Sequence, residues 1–263
     1  VGKYKDEKEM LENYSSNKYV TPDGYTSDIA VFTIELRYLE EHKPPVANLK
    51  LMLIQRSEVD AEGEPNIEGG KWALPGGFVK PHETARMAAI RELQEETSVK
   101  NIHLHHFGVY DDPGRDKRGW IISNAFYAIV TEDYLLERKA AYDAQNVELF
   151  TWEEVQKLQL AFDHQKIIAD AFKMIKKDIL QTTVAKEFLP KEFTLSELRS
   201  VLLLVTNDPG IVNDSSFVRD APKYPFLEVV KDAKGKNKTT TRTAKRSTRL
   251  FRYKEFEPIN SIY

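Results

Sequence analysis

Residues 91–99 read RELQEETSV and place Glu92, Glu95 and Glu96 within five positions, directly after Arg91. Like charges one helical turn apart weaken a helix by about 0.2–0.5 kcal/mol per pair, so the cluster calls for a compensating partner. Wound as a helix, the three carboxylates share an arc of roughly 100°. Met87, Ile90 and Leu93 are then expected nearly opposite, as a core-facing stripe. Ala85, Ala88 and Ala89 are expected on the carboxylate face, where small side chains admit backbone or a ligand. Such a face suits a hard divalent cation, Mg2+ or Mn2+, which takes oxygen ligands and cancels the repulsion. Mg2+ is usually held by a few carboxylates plus phosphate oxygens, so a phosphorylated small molecule is the expected partner. The competing reading is a solvated charged face, which is the commoner use of a glutamate cluster.

The surrounding residues favour the metal. Gly77 is followed after five residues by Glu83, and after seven more by Arg91-Glu92-Leu93-x-Glu95-Glu96, with Val99 two residues on. This order resembles the Nudix box, the signature of MutT-type hydrolases that cleave nucleoside diphosphates linked to another moiety. The resemblance implies an α/β/α sandwich around a mixed sheet. It also implies that Glu92 and Glu96 are the principal metal ligands and that Glu95 is a further ligand or base. The carbonyl of Gly76 would be an additional ligand, and Arg91 would orient the glutamates while paired with Glu83. The cation would neutralise the diphosphate and acidify an attacking water. Ser98 departs from the pattern, standing where the family usually has glycine. A non-glycine residue at a left-handed helix end costs about 1 kcal/mol, which affects local geometry and removes no ligand. Trp72 in WALPGG also matches the family, and a core aromatic is an equal reading of it.

A second set of candidates lies in GRDKRGWIISNAFYA (114–128). Arg115, Asp116 and Arg118 resemble the RD-x-R-G segment of Nudix proteins that act on ADP-ribose or regulate NAD metabolism, and guanidinium groups suit phosphate and ribose recognition. A solvated turn is the alternative. AFDH (161–164) resembles the same proteins, with a structural role expected for His164. His103, His105 and His106 alternate around a strand without the spacing of a metal site. Asp112, Asp143 and Glu148 remain open as the distal base.

These residues need a scaffold. Residues 6–14 are expected to form a short helix. Strands are expected over 28–36, 47–56, 101–110, 120–130 and 147–152, where β-branched and apolar residues concentrate. Helices are expected from about Glu83 to Thr97 and from 162 to 180, the latter on the spacing of Ile167, Ile168, Ala171, Phe172, Ile175 and Ile179. AKEFLPKEF (185–193) breaks the pattern, dividing the chain into 1–184 and 185–263. Beyond it, TLSE (194–197) has the form of a capping box. A helix with Leu195, Leu198, Val201, Leu202 and Val205 follows, then a second near 211–221. FLEVV (226–230) and TRLFRY (248–253) read as strands joined by a basic loop. Helix, helix, strand, basic loop, strand is the order of a winged helix. It resembles, more loosely, the C-terminal domain of Nudix-related transcriptional regulators of NAD metabolism. That likeness implies contacts to double-stranded DNA through Arg219, Lys236, Lys238, Arg242, Lys245 and Arg246. Asp214, Asp220 and Pro222 around Arg219 argue the other way, for a packing or dimerisation appendage.

Composition sets the bounds. Across 263 residues, 41% are hydrophobic, enough for real cores, and cysteine is absent, which excludes disulfides and thiolate metal sites. The net charge of −3 hides an asymmetry, because from residue 190 onward 14 Lys and Arg face 9 Asp and Glu. The longest apolar runs, such as VLLLV (201–205), are too short to span a bilayer, and VGKYKDEKEMLENY lacks a signal-peptide core. A cytoplasmic protein with no membrane association is expected, and the resemblance adds a homodimer. Three functions follow: an Mg2+-dependent pyrophosphohydrolase of ADP-ribose or a related nucleoside diphosphate derivative, an ADP-ribose-sensing regulator, or a hydrolase of RNA caps or oxidised nucleotides.

Overall fold

Apolar residues occupy both parities of residues 29–34, and alternate side chains of a strand point to opposite faces. Such a strand must be covered on both sides, and the computed structural model shows this. It describes residues 3–15, 17, 19–59, 62–97, 104–130 and 147–255. Strand β1 (Gly24–Arg37) is central, antiparallel to β2 (Val46–Gln55) and parallel to a later strand (Ile121–Ile129). The sheet is therefore mixed. Short strands β3 (Trp72–Ala73) and β4 (Gly76–Phe78) pair with β2 and β1, the latter setting Gly76 opposite Asp28. Strand β5 (Leu104–Tyr110) pairs antiparallel with β6, the Ile121–Ile129 strand, and β7 (Val147–Thr151) pairs with β2.

Helices close the two faces. After the short α1 (Glu7–Glu12), α2 (Ala85–Thr97) covers one face, where Ile29 and Val31 meet Ala89 and Leu93. After α3 (Trp152–Val155), the longer α4 (His164–Gln181) covers the other, packing Ile167, Ile168, Phe172 and Ile175 against Ala30, Phe32 and Ile34. The ring of Phe32 meets that of Phe172 edge-on at 5.0 Å.

The expected stripe on α2 is corrected. Met87 and Ile90 are 54% and 43% exposed, whereas Ala88 and Ala89 are fully buried with Leu93. The inner side of the helix, against β1, is thus made of Ala88, Ala89 and Leu93, so of the expected stripe only Leu93 faces the core. Ser27 reinforces the approach by donating to the Ala85 carbonyl at 2.8 Å. Trp72 packs its ring against Phe150 at 4.8 Å, a core role. Ser98, Val99, His103 and Asp143 lie outside the described residues.

Beyond residue 184, Thr194 and Glu197 form the expected capping box on α5 (Leu195–Leu202). The second expected helix is two. Asp208 caps α6 (Pro209–Val212), and extended Asn213 then caps α7 (Asp214–Asp220). Strand β8 (Leu227–Val229) returns alongside a final strand (Phe251–Tyr253), completing the winged-helix order. The basic loop between them carries its own ladder, β9 (Thr239–Thr240) on β10 (Thr248–Arg249), so the final strand is β11. The hydrophobic core runs through the expected division: Ala185, Phe188, Phe193, Leu198 and Phe217 belong to the same cluster as Phe172 and Ile179. Polar contacts also cross it. Tyr38 donates to Glu197, and Ser200 donates to the Pro45 carbonyl at 2.8 Å.

Candidate active site

The LPGG turn at 74–77 sets β4 directly beneath α2. A Cβ on Gly76 would sit 2.3 Å from the Ser27 carbonyl oxygen, and one on Gly77 would sit 2.4 Å from a Glu92 carboxylate oxygen. Glycine is required here because backbone and carboxylate occupy the side-chain space. The Gly76 N–H donates to Glu96 Oε2 at 2.8 Å, so the turn also orients this carboxylate.

Arg91 organises the rest. Its guanidinium donates to both oxygens of Glu83 at 3.2 and 2.7 Å, to Glu92 at 2.6 Å, to Glu95 at 3.1 Å and to the Phe78 carbonyl at 3.0 Å. The bonds from Arg91 hold the Glu83 carboxyl down at about 2, and the same carboxylates push Arg91 above its ordinary value. The expected pairing of Glu83 with Arg91 is thus present. Glu95 stands apart from Glu92 and Glu96, its side chain 55% exposed and turned to Arg91.

Glu96 is enclosed by protein on most sides. Burial, reinforced by the charges of Glu92 and Asp28, pushes its pKa up to about 8 despite the Gly76 N–H and the nearby Arg56. Among the described residues no three Asp, Glu or His side chains form a closed metal cage. Glu92, Glu96 and the Gly76 carbonyl are oxygen donors of the kind Mg2+ accepts, and phosphate and water oxygens would complete its shell. The residues therefore fit a divalent cation. They also predict a pH dependence. A carboxyl whose folded pKa lies above its unfolded value of 4.5 makes the metal-free protein less stable as pH rises between those two values. Binding a cation requires the ionised form. The rise in Tm on adding Mg2+ should accordingly be larger at pH 8.5 than at pH 6.5, as measured by calorimetry.

Beside these carboxylates a cavity of about 60 Å³ is bounded by Asp28, Arg56, Gly76, Phe78, Arg118 and Phe162, with Arg115, Asp116 and His164 also in its wall. Arg115 is not free to receive a ligand. Its side chain is 4% exposed and donates twice to Asp163, at 2.9 and 2.6 Å, which ties the 113–119 turn to the start of α4. Asp116 and Arg118 likewise bind each other, the guanidinium donating to Asp116 Oδ2 at 2.6 Å. Burial alone would raise the Asp116 pKa, but these bonds bring it below the usual range. His164 is structural, as expected. Its Nδ1 accepts the Leu74 N–H at 2.9 Å, and burial keeps the ring neutral. His105 and His106 pack on Tyr127 and Phe126. Asp112 pairs with Lys166, and neither it nor Glu148 lines the cavity.

Asp28, Phe162, Arg56 and Phe78 line the site and were not singled out in the sequence. Asp28 lies inside β1, opposite Gly76, and accepts from Ser123. Phe162 carries a left-handed backbone, φ 51°, that presents its ring to the cavity. Arg56 follows the last residue of β2 and bonds only neutral acceptors, the Ile67 carbonyl and Asn66 Oδ1, both at 3.1 Å. Among the described residues it has no ion pair. Burial and the like charge of Arg118 lower its pKa. The one signal in the sequence was a cation ending an apolar strand.

The DNA candidates divide. Lys236, Lys245 and Arg246 are exposed and make no ion pair among the described residues. Lys238 pairs with Glu192 at 2.8 Å, and Arg219 with Asp220 at 2.7 Å. Arg242 is corrected. It donates to both oxygens of buried Glu197, at 2.6 and 2.7 Å, so its charge is met by the chain while its side chain stays 35% exposed.

Comparison with known proteins decides the family. The profile described as NUDIX domain matches residues 44–171. A crystal structure of a mutT/nudix family protein from Listeria innocua is 52% identical, aligning with 62% of this chain and 100% of that one at a TM-score of 0.54. The chain belongs to the Nudix family. Its Nudix region is also similar to an ADP-ribose pyrophosphatase from Methanocaldococcus jannaschii, 41% identical over 121 residues, which is 46% of this chain and 64% of that protein. The crystal structure of Shewanella oneidensis NrtR complexed with a 27mer DNA is 25% identical and covers 88% of this chain and 93% of its own, with a TM-score of 0.66. The mixed Nudix sheet and the C-terminal domain thus both have a counterpart in one solved structure. Nudix hydrolases generally use divalent cations. No helix of the described residues is long and apolar enough to cross a membrane.

Proposed function

We propose that this Nudix protein is an Mg2+-dependent pyrophosphohydrolase of ADP-ribose or a closely related nucleoside diphosphate derivative. The observation that carries this reading is the placement of Glu92 and Glu96 against the Gly76–Gly77 turn, at the edge of a cavity that also holds the unpaired Arg56. Glu92, Glu96 and the Gly76 carbonyl would hold the cation, with Glu95 at their exposed flank. A bound cation would supply charge neutralisation at the diphosphate and acidify the attacking water. The chain does the remainder. Arg91 keeps Glu92 in position while Glu83 balances its charge. Arg56, half-buried and without a carboxylate partner, faces the diphosphate and holds it in register. Arg115, Asp116 and Arg118 frame the cavity, with Arg115 acting through its hold on Asp163. Residues 1–184 would be the catalytic half and 185–263 an appended winged helix. The similarity to the archaeal ADP-ribose pyrophosphatase supports this choice of substrate class. The test is incubation of the purified chain with ADP-ribose and Mg2+, following AMP and ribose 5-phosphate. No product from ADP-ribose or a panel of nucleoside diphosphate derivatives, with Mg2+ or Mn2+, would overturn it.

A second reading, a metabolite-sensing regulator, is favoured by the near full-length likeness to the NrtR–DNA complex and by the exposed Lys236, Lys245 and Arg246 of the wing. On this reading the wing grips phosphates, and affinity falls steeply with salt. A gel shift on DNA upstream of NAD-biosynthesis genes, with and without ADP-ribose, tests it. The absence of any shift at low salt would remove it.

A further inference from the structure

The Arg118 guanidinium lies 5.0 Å from the centroid of the Phe78 ring and 4.9 Å from that of Phe162. A planar cation therefore bridges two aromatic faces. Its charge is already met by Asp116, through Nε at 3.0 and 3.1 Å and Nη2 at 2.6 Å, so it does not need a phosphate. Arg56 also lies over the Phe162 ring, 5.1 Å from its centroid. With Arg118 between the rings, the cavity has a volume of about 60 Å³. That is room for about two waters and far below the roughly 300 Å³ of a small-ligand site. The aromatic edge of the site is filled by the protein's own side chain.

We propose that the space between Phe78 and Phe162 is the seat of the substrate's nucleobase, and that Arg118 stands in for the base and is displaced by it. The inference rests on the reading of the site as one for a nucleoside diphosphate. A guanidinium and a base are both planar and both stack on aromatic faces, so a slot that holds one suits the other. Displacement breaks the bonds from Arg118 to Asp116, so the base takes the slot only where its own stacking offsets that loss. With the base between the two rings, the diphosphate extends past Arg56 toward Glu92 and Glu96. Phe78 and Phe162 thereby select substrates that bear a base over bare diphosphates.

Calorimetric titration of the full chain in Mg2+ separates the base from the phosphates. One probe is α,β-methylene-ADP, which carries adenine, and the other is methylenediphosphonate, which has no ring. Stacking on an aromatic side chain is worth about 1–3 kcal/mol per base, or roughly 5- to 150-fold. Phe162→Leu should therefore weaken the nucleotide about tenfold or more and leave the ring-free diphosphonate unchanged. Phe78→Leu, at a 43% exposed position that tolerates change, should do the same. Arg118→Lys keeps the charge but gives up the planar stack, and it should tighten the nucleotide a few-fold. If Phe78→Leu and Phe162→Leu leave the preference for the nucleotide intact, the slot is elsewhere. If Arg118→Lys weakens both probes equally, Arg118 is a phosphate ligand and the inference fails. Neither titration depends on turnover, so the slot can be tested even in a protein that is inactive on ADP-ribose.

Discussion

Glu96→Gln should abolish hydrolysis while leaving the fold intact. Glutamine matches the shape of the side chain, and its amide oxygen can still accept the Gly76 N–H that now reaches Glu96 Oε2 at 2.8 Å. The negative charge is what disappears. With it goes half of the carboxylate pair that would hold the cation against the Gly76–Gly77 turn, so kcat should fall at least about 100-fold, in line with removal of one electrostatic contact at a reacting phosphate. The same change removes a carboxyl whose pKa burial raises to about 8. Without metal, the variant should be more stable than the parent at pH 8.5 and nearly equal to it at pH 5, where the parent's carboxyl is protonated in the folded state. Two readouts thus move in opposite directions: activity falls and metal-free Tm rises. Near-wild-type turnover with Mg2+ would show that Glu96 is not a ligand.

Arg242→Ala should cost about 3 kcal/mol, because it leaves buried Glu197 without its cation. The Glu197 side chain is fully buried, and both of its oxygens take Arg242 donors, while Tyr38 and the N–H and hydroxyl of Thr194 supply further bonds. Burial alone would raise the Glu197 pKa, but the bonds from Arg242, Tyr38 and Thr194 more than offset it and leave the pKa below the usual value. A depressed carboxyl stabilises the fold above its unfolded pKa, and that contribution is lost as pH falls through the folded pKa. The parent should therefore lose stability in acid, and Arg242→Ala should lose less of it. For a chain of this size the expected drop in Tm at pH 7 is about 6–12 °C. The double change Glu197→Gln with Arg242→Gln should be milder than Arg242→Ala, since it leaves no unpaired buried charge. A Tm within 1–2 °C of the parent for Arg242→Ala (about 0.5 kcal/mol) would return Arg242 to the set of residues available to DNA.

The helix that carries the site shows where sequence reading stops. The spacing of Gly77, Glu83, Arg91, Glu92 and Glu96 carries the resemblance to the family, and that resemblance implied the pairing of Arg91 with Glu83 that the structure shows. The same helix misled on its buried face. Size and polarity placed Met87 and Ile90 inward beside Leu93, yet it is Ala88 and Ala89 that are buried with Leu93 at the distance separating α2 from β1. That distance belongs to the packed sheet and leaves no periodic signal in the helix.

Charge was legible in number and not in use. Arg115, Arg118 and Arg242 each suggested an anion to be recognised, and each is met by a carboxylate of the chain itself: Asp163, Asp116 and Glu197. Asp163 lies 48 residues from Arg115 and Glu197 lies 45 from Arg242. Arg56, which suggested nothing, is the arginine left without a carboxylate at the cavity. The sequence by itself determined the longer strands and helices, the spacing of the Nudix carboxylates and the capping box at Thr194, all of which depend on neighbours within a few residues. Only the tertiary structure decided which cations remain available to a ligand. An ion pair forms wherever folding brings opposite charges together, and folding joins residues that the chain keeps far apart.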